Sequence, residues 1–571
     1  MTRLQLTSVI AIAFLSSATV VSIASLARAE DQPVSATSGV LTTGDTAPVT
    51  TGTLTPTIAA PANVTSDSVA PDSVAPGASA VIVELRAKLA TAPSDMAEKE
   101  RADHTALTDF YAARNGAGLW VTGTGFTAKA RALVNEIKNA DAYGLDAKDF
   151  SLPEVLPDVP DNGTAATNVD AAATAELQLS AAALKYARFA RGGRIADPAA
   201  QLTTNLDRRP QWIEPKIILD RLAGTEEPDA VLRSLHPQHP QFEKLRQLYI
   251  AALPKSAAPL NPAAKRLRAN MEMWRWMPDD MGAMHVFNNI PEFMQYVYKD
   301  GQVIRTEKIV AGMLDKQSTI FSRPLKYVVL RPQWRVPESI KVNELWPSLL
   351  RGGGLMRQYD LQLETKDGQP LDWHTINWSK VDIRNYEVTQ RSGPKSVLGH
   401  VKFSFPSQHT IYMHDTPDKY MFRSSQRTLS HGCLRVQKPM ELAEIILKED
   451  KGWDKAKIAD LDRSGPMNNE IAIDKRIPIH LVYFTAWVSD DGRLKIFGDV
   501  YGHEKRVTQA LNGDWDKINK GRDHLAPVET NFNPAVVAAR QPAPANRILP
   551  RSAQKEATLG DIIGGAFGLG Q

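Results

Sequence analysis

The chain has 571 residues, of which 43% are hydrophobic and 23% charged, and its formal net charge is +3. That length exceeds one ordinary core and implies two or more domains with linkers. The near-balanced charge excludes nucleic-acid binding driven by bulk electrostatics, and the composition is that of a soluble globular protein.

At the start of the chain, Arg3 precedes an apolar run from Leu4 to Leu26, and Ala27-Arg28-Ala29 supplies the small-x-small pattern of a cleavage site. Residues 1–29 read as a signal peptide, which sends the remainder to an extracytoplasmic space, the periplasm. The run is also nearly long enough to stay as an inner-membrane anchor, the one membrane contact expected here. Residues 30–80 are rich in Ala, Thr, Ser and Pro, contain no aromatic residue, and repeat Asp67–Pro71 at once as Asp72–Pro76. Such a stretch cannot bury enough apolar surface to offset chain entropy, so it reads as a disordered linker.

From residue 81 to 255 the pattern is helical, with apolar residues at three and four spacings in Ala130–Ile137 and Ala173–Phe189. Nothing in this domain looks catalytic. His104, His236 and His239 lack ligand spacing and read as surface or turn residues. A second domain spans 265–505. Its period is two, with a hairpin signal at Lys299-Asp300-Gly301 and strands expected at Phe293–Tyr298, Gln302–Val310, Tyr327–Leu330, Val401–Phe405, Thr410–His414 and Pro478–Val488. A helix fits Pro439–Lys448. Residues 338–397 are weakly periodic and long for a plain connection. They read as an inserted cap over a cleft, with Trp346, Trp373 and Trp378 as its small apolar core. Residues 525–571, Pro/Ala-rich and then Gly-rich, read as a disordered tail. The fold class is α+β: a helical N-terminal domain, then a β-rich, sandwich-like domain.

Cys433 is the one cysteine in the chain. A lone thiol is most often a small buried hydrophobe, but its surroundings offer a second reading. His414 ends an expected strand nineteen positions earlier, and a thiol, with a free pKa of ~8.5, becomes a good nucleophile when an imidazole favours its thiolate. Gly432 allows a tight bend and can present N–H groups to an oxyanion. Lys402, Arg423, Arg427, Arg435 and Lys438 form a cationic neighbourhood suited to an acidic substrate and to lowering the thiol pKa. Each of these signals is weak alone.

Together they meet a family. Ser430-His431-Gly432-Cys433-x-Arg435-Val436, with His414 upstream, resembles the L,D-transpeptidases with a YkuD-type catalytic domain. The flanks Trp334-x-Val336-Pro337, Gly393-Pro394, Leu398-Gly399, Val401-Lys402-Phe403-x-Phe405-Pro406, His414-Asp415-Thr416-Pro417 and Asn289-Ile290-Pro291 resemble its large YcbB-like branch. In the helical part, Phe110-Tyr111-x-x-Arg114, Leu119-Trp120 and Ala142-x-Gly144-Leu145 resemble that branch's scaffold domain.

The resemblance implies a peptidoglycan L,D-transpeptidase. Cys433 would attack a tetrapeptide stem at its third residue, D-Ala would leave, and a second stem would resolve the thioester as a 3→3 cross-link. His414 would be the base, and N–H groups around Gly432 and Cys433 the oxyanion hole. Arg435 would organise the pocket or hold a substrate carboxylate, and Ser430 and His431 would hold the cysteine loop. Tyr412 and Trp334 are expected as substrate-binding walls. Donor and acceptor stem peptides are the partners, with an outer-membrane protein as an alternative acceptor. A carboxypeptidase that passes the acyl group to water is the rival reading. No metal-ligand set or cofactor motif is present, so none is expected. The chain departs from the branch at Arg331, Arg335 and Ser396. It also runs from Leu253 almost directly to Lys265, leaving no room for the branch's peptidoglycan-binding module.

Overall fold

The computed structural model describes residues 79–527, apart from 92–93, 117, 123–124, 155–168 and 256–257. The expected signal peptide (1–29), nearly all of the linker (30–80) and the tail beyond residue 527 lie outside the described residues.

The first part is helical and is built around the long helix Val169–Gly192. Seven of its buried residues are alanines, which lets the helices Ala80–Leu89 and Glu98–Ala112 approach closely. Its one acidic core residue, Glu176, is fully buried. A buried carboxylate is tolerable only when its lone pairs are used. Here it accepts the N–H groups of Leu119, Trp120 and Val121 at 2.5, 2.9 and 2.9 Å and the Tyr111 hydroxyl at 2.7 Å. The Leu119-Trp120 segment is thereby pinned to the helix. The histidines do not all lie at the surface or in turns as expected. His104 is half-buried, and His239 caps the helix Pro240–Ala252. His236 is buried, stacked on Tyr143 at 4.0 Å and bonded to the Tyr186 hydroxyl at 3.1 Å, because aromatic rings close over it.

Eleven strands form the main sheet: β1 (Met284–Asn289), β2 (Met294–Lys299), β3 (Gln302–Gly312), β4 (Ser322–Pro324), β5 (Tyr327–Leu330), β6 (Val401–Ser404), β7 (Met413–His414), β8 (Thr428–Ser430), β9 (Leu434–Val436), β10 (Asn469–Ala472) and β11 (Pro478–Val482). Their order is β10-β5-β6-β7-β9-β3-β2-β1-β11-β4, with β8 also paired to β3. The β2–β3 hairpin turns through Asp300 and Gly301, both at positive φ (50° and 76°), as a two-residue hairpin turn requires. Two expected strands are shorter than the alternation suggested. Thr410 sits at φ +52°, so the strand begins only at Met413. The run Pro478–Val488 breaks after Val482 because the Asn289 and Asn270 side chains take the N–H groups of Phe484 (2.9 Å) and Thr485 (3.0 Å) in place of a neighbouring strand.

The apolar core under the sheet also takes in Phe242, Leu245 and Tyr249 from the helical part, bridged by the buried helix Pro262–Arg275. Packing is therefore continuous across the boundary at residue 255. Only residues 253–261 connect the helices Pro240–Ala252 and Pro262–Arg275. Residues Val336–Val388 make a separate apolar core, with Trp346 and Trp378 buried and Trp373 packed beside them. This insertion carries its own four-stranded sheet, whose edge strand Trp334–Arg335 is shared with the chain leading out of β5. Among the described residues no helix is long and apolar enough to cross a membrane.

Glu176→Ala strands three backbone N–H groups in the helical core and leaves the Tyr111 hydroxyl only its Ser180 partner at 2.7 Å. Urea unfolding should show a loss of about 3 kcal/mol or more, since each unsatisfied buried group costs roughly 1–3 kcal/mol.

Candidate active site

Two short strands build the site. β7 and β9 pair in parallel, with Met413 opposite Leu434 and His414 opposite Arg435, and the Leu434 N–H reaches the Tyr412 carbonyl at 3.0 Å. In register, parallel neighbours present side chains to the same face, and alternate residues share it. Tyr412 and His414 therefore lie on one face with Cys433 and Arg435. The antiparallel β6 adds Lys402 opposite His414. One row across the sheet reads Val329, Lys402, His414, Arg435, Val310.

His414 is buried, and its Nδ1 bonds the Asp415 carbonyl. A carbonyl only accepts, so Nδ1 carries the proton and Nε2 is left as the basic nitrogen. Asp415 in turn holds the following turn. Its carboxylate accepts from His400 N–H at 3.0 Å and Thr416 N–H at 2.7 Å and pairs with Lys419. Gly399, at φ +58°, is required beside it, since a Cβ there would overlap the Asp415 carboxylate.

The loop before Cys433 is held by small polar groups. The Ser430 hydroxyl donates to the Cys433 carbonyl (2.6 Å) and accepts from the Gly432 N–H (3.2 Å), and Ser318 donates to the Gly432 carbonyl (2.6 Å). Gly432 stands at φ +115°, a conformation L side chains rarely adopt. The Gly432 N–H is therefore spent inside the loop. The Cys433 N–H makes no hydrogen bond among the described residues and is the donor left for an oxyanion.

The half-buried Cys433 thiol contacts the Thr410 carbonyl at 3.8 Å and hydrogen-bonds the Tyr412 backbone and hydroxyl. The Tyr412 phenol also interacts with Trp334 of the insertion's edge strand. Burial pushes the thiol up to about 11, outweighing Lys402 and Arg435, which act in the opposite direction. Burial, reinforced by Arg435 and Lys402, pushes His414 down to about 3. The resting pair is thus a neutral thiol and a neutral imidazole. The expectation that nearby cations would lower the thiol pKa underweights desolvation.

Of the five cations expected around Cys433, only Lys402 and Arg435 act on it. Arg427 is buried and spent on the carbonyls of Ile309, Ser424 and Phe293. Arg423 is exposed, and Lys438 pairs with Glu441 at 3.6 Å. Arg435 makes one long contact to Asp418 (3.5 Å) and one to Met421 Sδ (2.8 Å), while its buried Nε has no partner.

His431 points away from the thiol face toward the insertion, where its Nε2 meets Glu344 at 2.6 Å. Lys316 meets the same carboxylate at 2.6 Å. Burial would raise the Glu344 pKa, but His431 and Lys316 prevail and hold it at about 2, so the carboxylate is charged. No motif marks Glu344, because it sits in the weakly periodic insertion and acquires its role only by contact.

The architecture and this face define a two-part chain, a helical scaffold followed by a cysteine-bearing mixed sheet. Residues 283–458 match the family model described as the YkuD L,D-transpeptidase catalytic domain, and residues 105–248 match one described as a scaffold domain. The chain carries a YkuD-type L,D-transpeptidase catalytic domain. A Haemophilus influenzae protein provisionally named an L,D-transpeptidase is 26% identical over 417 residues, 72% of this chain and 81% of that one. A solved L,D-transpeptidase from Mycobacterium smegmatis is 13% identical, aligning 35% of this chain with 58% of that one at a TM-score of 0.15, too low to bear on the fold.

A neutral resting thiol has a kinetic signature. Alkylation of the free protein by iodoacetamide should accelerate about tenfold per pH unit from 7 to 9, following the rising thiolate fraction. A plateau below pH 7 would instead indicate a preformed thiolate–imidazolium pair.

Proposed function

We propose that the chain is an exported peptidoglycan L,D-transpeptidase that forms 3→3 cross-links through a thioester on Cys433. The observation that carries this reading is the β7–β9 register, which gathers Tyr412, His414, Cys433 and Arg435 on one face. The Cys433 proton passes to His414 Nε2 as sulfur bonds the carbonyl carbon of the third stem residue. The bond to terminal D-Ala breaks, and the leaving amine takes the proton from His414. An acceptor amine then loses a proton to His414 and attacks the thioester. The carbon–sulfur bond breaks, and the thiolate recovers the proton. The Cys433 N–H serves the oxyanion in both halves.

The neutral resting pair assigns a task to the substrate. A stem carboxylate docked against Arg435 would offset the cation that depresses His414 and raise the imidazole towards useful basicity. The guanidinium is partly exposed and its Nη1 is held to Asp418 only at 3.5 Å, which supports that docking. Residues 338–397 serve as the cap, with Glu344 gripping the nucleophile loop through His431, and Tyr412 and Trp334 form the pocket wall. Export through residues 1–29 to the periplasm, and a stem peptide rather than an outer-membrane protein as acceptor, complete the proposal.

Cys433→Ala should abolish the 3→3 dimer in muropeptide mass spectrometry while its Tm stays within a few degrees of wild type. Cross-linking that persists in this variant removes the cysteine mechanism, and release of D-Ala without dimer points to a carboxypeptidase. Arg435→Lys keeps the charge but loses the planar fork, and should cut turnover about tenfold. Wild-type turnover would rule out bidentate recognition there.

A further inference from the structure

Next to the turn that contacts the cysteine lies a polar junction, with His409, Thr319 and Asn205 buried and Asp207, Thr204 and His524 half-buried, that the mechanism above does not use. His409 Nε2 contacts Asp207 Oδ2 at 2.9 Å, and its Nδ1 contacts His524 Nε2 at 2.8 Å. His524 Nδ1 meets the Thr204 hydroxyl at 3.0 Å, and its Nε2 also lies 3.2 Å from Thr319 Oγ1. Thr319 donates onward to Asn205 at 3.1 Å. One proton assignment satisfies every member with both rings neutral. Thr204 donates to His524 Nδ1, the His524 Nε2–H to His409 Nδ1, and the His409 Nε2–H to Asp207. A chain with a single self-consistent direction is rigid, since reversing one bond strands a buried group.

Its members come from three separate stretches: Thr204, Asn205 and Asp207 from the helical part, Thr319 and His409 from the sheet domain, and His524 from the last described segment. The His409 side chain is completely buried and its ring lies 5.1 Å from that of Phe321. Arg323 adds an ion pair to Asp207 at 3.7 Å.

The next residue explains why so much is spent on one histidine. Thr410 holds φ +52°, which is strained for a β-branched residue, and its own side chain is exposed and anchors nothing. Yet Thr410–Tyr412 is the segment that grips the thiol, through the Thr410 carbonyl at 3.8 Å and the Tyr412 backbone and hydroxyl. A strained turn persists only where its surroundings over-determine it. Here the local bonds are weak: the Ser407 carbonyl receives Thr410 N–H at 3.4 Å and the Ser407 hydroxyl receives His409 N–H at 3.3 Å.

We infer that His409, clamped between Asp207 and His524, is a positioning residue for the Cys433 nucleophile, transmitting the packing of the helical part and the C-terminal segment to the Thr410–Tyr412 turn that aims the thiol. The helical domain is then part of the catalytic apparatus through one side chain, without touching substrate. The inference rests on Cys433 being the nucleophile, and its test does not require the transpeptidase reading. The probe is iodoacetamide, a small neutral reagent that reports the thiol alone.

Asp207→Asn, His524→Gln and His409→Ala are measured in the full chain, with rates expressed per folded molecule. The expected result is an alkylation rate lowered roughly tenfold and a displaced pH profile in Asp207→Asn and His524→Gln. Stem-peptide turnover should show a matching fall in kcat with KM little changed, within the hundredfold that a misplacement of about 1 Å can cost. His409→Gln, which keeps a donor toward Asp207, should recover part of what His409→Ala loses. A purely structural role would lower Tm and leave the rate and pH profile of the folded molecules untouched. A wild-type alkylation rate and profile in Asp207→Asn overturns the inference, whatever the fate of His409→Ala.

Discussion

The parallel pairing of Met413–His414 with Leu434–Val436 is the constraint on which the rest depends. Two strands this short contribute few hydrogen bonds, and parallel pairs are slightly weaker per residue than antiparallel ones. The pair is stable because it lies in the interior of the sheet, flanked by β6 on one side and β3 on the other, with Met413, Leu434 and Val436 fully buried. A slip of one residue in either strand would turn its polar, candidate-site side chains into the apolar core and bring core residues out. The same hydrophobic alternation that secures the fold therefore keeps the face bearing Tyr412, His414, Cys433 and Arg435 together.

Burial on this face has two opposing consequences. It excludes water, which strengthens every dipole and charge aimed at the thiol. It also penalises charge, and here that penalty outweighs Lys402 and Arg435, so the site rests neutral. Two half-buried cations, Lys402 and Arg435, thus stand beside an unprotonated imidazole. Arg435 is held to Asp418 only at 3.5 Å.

The Cys433 loop is also a meeting point. Gly432 and Ser430 shape it from within, Ser318 holds it from the turn after β3, and Glu344 reaches it from the insertion through His431. On the opposite side the His409 junction braces the turn that contacts the thiol. Helical part, sheet, insertion and C-terminal segment thus converge within a few residues of Cys433.

Much of this was legible from the sequence. Periodicity separated a helical part from a β-rich one, the Asp300-Gly301 turn announced its hairpin, and the residue types around Cys433 and His414 marked them as a candidate pair. These are local properties, set by spacing along the chain and by the backbone freedom of particular residues. Tertiary structure alone decided which of five nearby cations face the thiol, that Thr410 is strained and Glu344 engaged, that His236 is buried, and that His409 meets Asp207 and His524 across more than a hundred residues of chain. Each of these depends on distance through space and on exclusion of water, and neither quantity is written in the order of residues. The protonation state of the thiol belongs with them, because it is set by the surroundings the fold gives Cys433, and the linear sequence carries the charges but not the dielectric in which they act.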